Sequence, residues 1–468
     1  MRLVPGQHIH LVGVGGFGMS AIARVLLQQG FMVSGSDRSS NDLTAALKRD
    51  GATIYRGHDP AYVIGAEMVI ISSAIPTDNI EVLTAFSQGI PIYKRSDVIA
   101  AIMSGNLGIA IAGTHGKTTT TAMTAHILIE TGQDPSYIVG GILRNSGQNA
   151  GVGHGKAFVI EADEYDNMFH GLRPQIEVIT NVEYDHPDFF RTPHDLTESF
   201  LHFVGLLPKD GLLVACADDP TTAIFAHNRM IVDLPTATYG IDDGKALWRA
   251  VNLRVNDHLQ TVFDVLHGGK SLGSVELRVP GKHNVLNSLA ALIVADTQSI
   301  PFGDAATALR RFEGTGRRFE LRGEVENVAV IDDYAHHPTA IAATLQAARQ
   351  CYPERALWAV WQPHTYSRTQ ALMDTYITAF NDADHVLVTA IYGAREKPVL
   401  GMNIGDIVAN MAHPDARYTL DRENTVAILD EEVQAPAVIL IMSAGDAPQI
   451  GIDYLQHRRV RLGIPDEQ

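Results

Sequence analysis

Apolar positions along this chain fall into short runs separated by stretches with helical spacing, and the alternation continues from one end to the other. The segment HIHLVGVGGFGMSAIARVLLQQG, starting at residue 8, reads as strand, glycine turn and helix. MVSGSD, ending at Asp37, and MVIISSAI, ending at Ile75, read as further strands with helical material between them. Such an alternation predicts a parallel sheet. A Ser-Gly-Asn turn at 104–106 closes this first unit.

A second unit begins with the apolar run LGIAIAG, followed by a Thr- and Ala-rich helix to about residue 131. AFVIEAD, IEVITNV and GLLVACADD have the character of buried strands. Between about 236 and 280 the runs ALWRAVNLRV, QTVFDVL and SVELRV suggest antiparallel strands joined by turns such as HGGK, and a helix is expected over 284–296. The turn-rich stretch EGTGRR at 313–318 connects to a third unit, where VAVIDD, ALWAVWQP, HVLVTAIY and AVILIMSAG read as strands between helices. The expectation is an α/β protein of three domains, at 1–105, 106–313 and 314–468.

Composition narrows the class. Apolar residues make up 46% and charged residues 19% of 468, which is globular. A net charge of -17 without a long basic block argues against nucleic acid or an anionic membrane as the main partner. Two cysteines, Cys216 and Cys351, with no CxxC pair fit a reducing compartment. No apolar run approaches the length of a membrane span, and the N-terminus goes straight into a strand pattern without a signal-type segment. A soluble cytoplasmic protein, monomeric or weakly dimeric, is expected.

The most specific chemistry lies at 113–119, GTHGKTT, between a strand and a helix. Gly113 and Gly116 let backbone N–H groups, including those of Thr114, His115 and Thr119, converge on phosphate oxygens. Lys117 can reach the β and γ phosphates, and Thr118 can place its hydroxyl on Mg²⁺. Ile111 stands where the usual motif has its first glycine. A magnesium nucleotide also needs hard oxygen ligands, and Glu161 ends a strand where a parallel sheet presents ligands. Asp163 and Glu164 continue that acidic turn, where they could be no more than solvated charge. After the next strand come Asn181, Glu183, Asp185 and His186; His186 could be a surface histidine or a metal or phosphate contact.

Gly13-Val14-Gly15-Gly16-Phe17-Gly18, with Asp37 at the end of the next strand, satisfies a dinucleotide fingerprint. The physics specifies only a diphosphate beside a ribose, so NAD and a UDP-linked substrate both fit. In the third unit Asp332, Asp333, His336 and His337 follow one strand and Arg368 follows another. Arg368 could stabilise a phosphoryl group, bind a carboxylate, or form an exposed salt bridge.

Taken together, HLVGVGGFGMSAIA, SDRSS, ISSAI, AGTHGKTTTTAM, EADEYD, TNVEYDHPD, GKHNVLNSLAA, GRRFE, DDYAHHPTAI, QPHTYSRT and SAGD occur in order over essentially the whole chain. This series resembles the bacterial Mur ligase family. The resemblance implies an N-terminal Rossmann-like domain for a UDP sugar, a central P-loop ATPase domain and a C-terminal Rossmann-like domain admitting an amino acid. It also implies that a substrate carboxylate takes the ATP γ-phosphate and that the acyl phosphate is then attacked by an amine. On that basis Lys117, Glu161, His186 and Arg368 are catalytic candidates, with Thr118, Glu161 and His186 as the magnesium set. Asn284, Asp333, His336 and His337 join the nucleotide contacts, and Gly15, Gly16, Gly18, Asp37, Ser73 and Arg368 bind substrate.

The absence of lysine over 189–206 and the stretch QPHTYSRT resemble the alanine-adding branch, implying UDP-N-acetylmuramate and L-alanine as substrates in the bacterial cytoplasm. Tyr165 resembles instead the murein-peptide recycling ligase. An NAD-dependent oxidoreductase is the alternative from another class, and it leaves GTHGKTT, EADEYD and NVEYDHPD without roles.

Overall fold

The computed structural model describes residues 3–394, 396–399 and 401–463, so the outer limits of the expected first and third domains lie outside the described residues. Three sheets follow one another along the chain. The first holds β1 (His8–Val12), followed by helix α1 (Phe17–Gln28), and β2 (Met32–Asp37), β3 (Thr53–Arg56), β4 (Met68–Ile71) and β5 (Ile92–Lys94), all parallel, in the order β3-β2-β1-β4-β5. The β4 strand stops at Ile71 rather than running to Ile75, because the backbone turns there; Ser73 lies exposed in that turn.

The central sheet has ten strands: β6 (Leu107–Ala112), β7 (Ser136–Leu143), β8 (Gln148–Gly151), β9 (Ala157–Glu161), β10 (Ile176–Ile179), β11 (Leu212–Cys216), β12 (Thr236–Gly240), β13 (Trp248–Val255), β14 (Thr261–His267) and β15 (Lys270–Leu277). Their order is β15-β14-β13-β12-β11-β10-β6-β9-β7-β8. Both faces of β6 are covered, so its apolar residues run without interruption. Ile109 and Ile111 pack with the helices α2 (Lys117–Glu130) and α3 (Lys282–Thr297), while Ala110 and Ala112 face a core shared with the first sheet. The expected antiparallel segment is present as β13, β14 and β15, and β12 before it is parallel to β11. The β7–β8 pair was not expected, because the glycines of SYIVGGILRNSGQNAG interrupt its apolar pattern.

The third sheet holds β16 (Glu320–Val325), β17 (Val328–Asp333), β18 (Ala356–Gln362), β19 (His385–Val388), β20 (Ala416–Tyr418) and β21 (Ala437–Ser443) in the order β16-β17-β21-β18-β19-β20. Its HVLVTAIY strand is confined to four residues. Pro338 does start a helix, α4 (Pro338–Cys351), with His337 as its N-cap. No helix among the described residues is long and apolar enough to cross a membrane.

Candidate active site

The strand β6 delivers its last residue to a loop that only glycine can complete. Gly113 has φ 133 and a Cβ there would collide with the Thr180 hydroxyl; Gly116 has φ 82 and its Cβ would lie 2.5 Å from Asn287 Oδ1. The helix α2 then starts at Lys117 with its free N–H groups turned to the loop. Asn287 also accepts from Thr120 Oγ1 at 3.1 Å, fixing α2 to α3. Asn284, one turn earlier, donates to Pro280 O at 2.6 Å and accepts from Asn287 at 3.1 Å, so it lines the cavity with its amide already engaged.

Lys117 Nζ donates to the carboxylate of Glu164 at 2.9 Å and to Thr114 O at 3.1 Å. Burial works against its ammonium form, but Glu164 and Asp163 outweigh it and raise its pKa. Glu164 is 1% exposed, so it is no solvated turn charge; the sequence pattern missed it as a site residue. Asp163 is more open and pairs with Arg95 of the first unit at 2.9 Å.

Thr118 Oγ1 donates to Glu161 Oε1 at 3.0 Å, and Gly140 N donates to Glu161 Oε2 at 2.6 Å. Burial raises the Glu161 pKa against the pull of Lys117, which is the condition of a carboxylate short of positive charge. Paired hydroxyl and carboxylate oxygens fit a hard divalent ion. His186, at φ 55, stands apart from that pair: its Nε2 lies 3.6 Å from Glu164 and 3.8 Å from Asp185. Burial opposes protonation of His186, but Asp185 and Glu164 prevail and raise its pKa.

Arg368, 3% exposed, is not a surface ion pair. Its Nε donates to Asp185 Oδ1 at 2.6 Å, linking the third unit to the central one, and its Nη1 donates to His364 Nδ1 at 2.8 Å within the third unit. Burial disfavours the Asp185 carboxylate, yet Arg368 and His186 hold its pKa well below the ordinary range. Burial and Arg368 also lower the His336 pKa well below its ordinary value and keep that ring neutral. Asp333, expected at the nucleotide, lines the cavity and accepts backbone N–H groups from Phe319 and Ala335, both at 2.7 Å, which shapes the connector. That connector carries Arg318, also missed in the sequence, whose Nη2 reaches Thr118 Oγ1 at 3.4 Å. The doublet in GRRFE was its only signal.

Lys117, Thr118, Glu161, His186, Arg318 and Arg368 line one cavity of about 770 Å³, whereas Glu164 is not among its walls. Gly18 and Arg95 reach it from the first unit, whereas Gly15, Gly16, Asp37 and Ser73 are not among its walls. Gly15 N donates to Asp37 Oδ2 at 2.9 Å, and a Cβ on Gly15 would lie 2.8 Å from that oxygen. Close approach to Asp37 thus already requires this glycine.

Family models match in the same order as the sheets: "Mur ligase family, catalytic domain" over 8–106, "Mur ligase middle domain" over 111–295 and "Mur ligase, glutamate ligase domain" over 317–445. The UDP-N-acetylmuramate--L-alanine ligase of Pelotomaculum thermopropionicum is 42% identical, across 96% of this chain and 97% of its own. The chain belongs to the Mur ligase family. A relative of the same name from Nitratidesulfovibrio vulgaris is 43% identical, covering 96% of this Mur ligase and 98% of the relative. The solved UDP-N-acetylmuramate-alanine ligase of Thermotoga maritima superposes with TM-score 0.80 at 28% identity, over 97% of this chain and 99% of that one. A murein peptide ligase from Psychrobacter arcticus gives TM-score 0.73 at 26% identity, over 97% and 99%.

Proposed function

We propose that this Mur ligase joins L-alanine to the lactyl carboxylate of UDP-N-acetylmuramate in peptidoglycan-precursor synthesis, with ATP converted to ADP and phosphate. The observation that carries the reading is a single cavity in which the phosphate loop of the central unit faces the buried Arg368 of the third. Relatives above 40% identity bear the alanine-adding name, which favours that reading over peptide recycling and over a nicotinamide oxidoreductase.

We assign the UDP sugar to 1–105, ATP to 106–313 and the amino acid to 314–468. The sugar enters past Gly18 and Arg95, with Gly15, Gly16, Asp37 and Ser73 on the neighbouring strand-end loops. Backbone N–H groups of 113–119 receive the ATP phosphates, and Lys117 turns from Glu164 to the transferring γ-phosphate. Thr118 and Glu161, together with His186 set apart from them against Glu164, are the residues that would hold Mg²⁺, which would there lower the repulsion between carboxylate and triphosphate.

A lactyl carboxylate oxygen bonds to the γ-phosphorus and the bond to ADP breaks. The amine of L-alanine then bonds to the acyl carbon, phosphate leaves with the acyl oxygen, and the amine loses a proton. Arg368 binds the amino-acid carboxylate, and Arg318 brings a further cation to the phosphates. Asp333, His336 and His337 hold the third-unit face of the site in place, and Asn284 lies along its nucleotide side. The bacterial cytoplasm, where nucleotide precursors are available and the buried thiols of Cys216 and Cys351 stay reduced, is the assigned location.

Phosphate release measured with UDP-N-acetylmuramate and a panel of L-alanine, glycine, L-serine and murein tripeptide tests the assignment. Release dependent on both the sugar nucleotide and L-alanine is expected. A preference for intact tripeptide would overturn the alanine reading.

A further inference from the structure

His115, Glu183 and His337 come from the phosphate loop, the segment after β10 and the N-cap of α4, yet one ligand atom from each lies within 4.8 Å of the others. His115 Nε2 is 2.9 Å from Glu183 Oε2, and His337 Nδ1 is 3.9 Å from the same oxygen. The second carboxylate oxygen is already occupied, since Thr339 Oγ1 donates to Glu183 Oε1 at 2.6 Å. Thr339 thereby turns Oε2 toward the two rings.

The tautomer of His337 is set from behind. Its Nε2 donates to Tyr184 O at 3.2 Å, an oxygen that can only accept, so the lone pair sits on Nδ1. That lone pair accepts the Thr339 N–H at 3.3 Å, a long bond that ligation would replace, and Nδ1 lies 3.9 Å from Glu183 Oε2. At 2% exposure the ring is fixed.

We propose that His115, Glu183 and His337 bind one zinc-class transition-metal ion, which ties the phosphate loop to the third unit. Two imidazoles and a carboxylate with one position left open are a zinc donor set, whereas Mg²⁺ favours an all-oxygen shell. Tetrahedral ligands at zinc distances stand about 3.4 Å from one another. The separations of 2.9 and 3.9 Å bracket that value, so small side-chain shifts complete the site. The ion is distinct from one held at Thr118 and Glu161, and its fourth position opens into the cavity that also holds the phosphate loop.

The test titrates the full chain with Co²⁺ in excess Mg²⁺ and without nucleotide, reading the visible absorption of low-symmetry cobalt. A saturable band reaching one equivalent, displaced by Zn²⁺, is expected. His337→Ala and Glu183→Gln should lose it, and Glu161→Gln should keep it. Thr339→Val removes only the hydroxyl that orients Glu183 and should weaken Co²⁺ binding about 10- to 100-fold. No band in the parent protein, a band undiminished in His337→Ala, or one lost in Glu161→Gln overturns the proposal. If His337→Ala does not fold, an unchanged Co²⁺ affinity in Thr339→Val overturns it instead.

Discussion

Lys117 serves two purposes that a pair of substitutions separates. Without nucleotide its ammonium neutralises Glu164, a carboxylate at 1% exposure; with nucleotide it is assigned to the γ-phosphate. Lys117→Ala takes from the buried Glu164 its nearest cation and leaves it only His186 at 3.6 Å; breaking a buried pair typically costs about 3–5 kcal/mol, and the change should also lower kcat about 10²- to 10³-fold. Adding Glu164→Gln should restore much of the melting temperature in thermal unfolding but none of the activity. Recovery of turnover in the double variant would show that Lys117 is structural only. The residues of 113–119 were legible because their chemistry is contiguous. Glu164 was not, since EADEYD offers several acids and the fold decides which is buried: positive φ at Asp166 and Asn167 bends the turn, and Arg95 draws Asp163 away. Arg318 was hidden for a related reason, its partner Thr118 lying in another unit.

Among the elements, the phosphate loop and the strand beside it show how the site reshapes local pattern. Gly116→Ala places a Cβ 2.5 Å from Asn287 Oδ1 at φ 82, so both the α2–α3 contact and the loop must shift. Nucleotide affinity, read by titration calorimetry, should fall at least about tenfold, with a stability loss of roughly 1–3 kcal/mol; unchanged affinity would mean that the loop tolerates another path. Gly140 of β7 answers a similar demand, because a Cβ there would stand 2.5 Å from Glu161 Oε2. The glycine that admits the Glu161 carboxylate also breaks the apolar alternation by which β7 could have been read. The longer strands of all three sheets kept that signal, as did α4, where Pro338 marks the start.

For the whole molecule, titratable groups join the central and third units, and the pH dependence of stability follows from them. His337 has its pKa lowered from 6.5 to about 4, so between those values the unfolded chain binds the proton and the folded one does not. Its contribution to stability is therefore complete above pH 6.5 and is lost as pH falls toward 4. Glu183, opposed by burial but held down to about 2 by His115 and His337, contributes above 4.5 and loses that contribution as pH falls toward 2. Denaturant unfolding of His337→Gln should show a shallower loss between pH 6.5 and 4 than the parent; an identical slope would contradict the assignment. Arg368 and Asp185 join the same two units, and Asp185→Asn should lower the melting temperature and weaken L-alanine binding together, since the guanidinium loses its anchor. A fall in stability alone would remove Arg368 from the amino-acid site.

The cavity is assigned to transfer the γ-phosphoryl group of ATP to a carboxylate before the amide forms. The direct measurement starts from UDP-N-acetylmuramate labelled with ¹⁸O in its lactyl carboxylate and follows the label by mass spectrometry through one turnover with ATP and L-alanine. One ¹⁸O atom in each released phosphate is the predicted result. Phosphate free of the label, with amide formed, would contradict it.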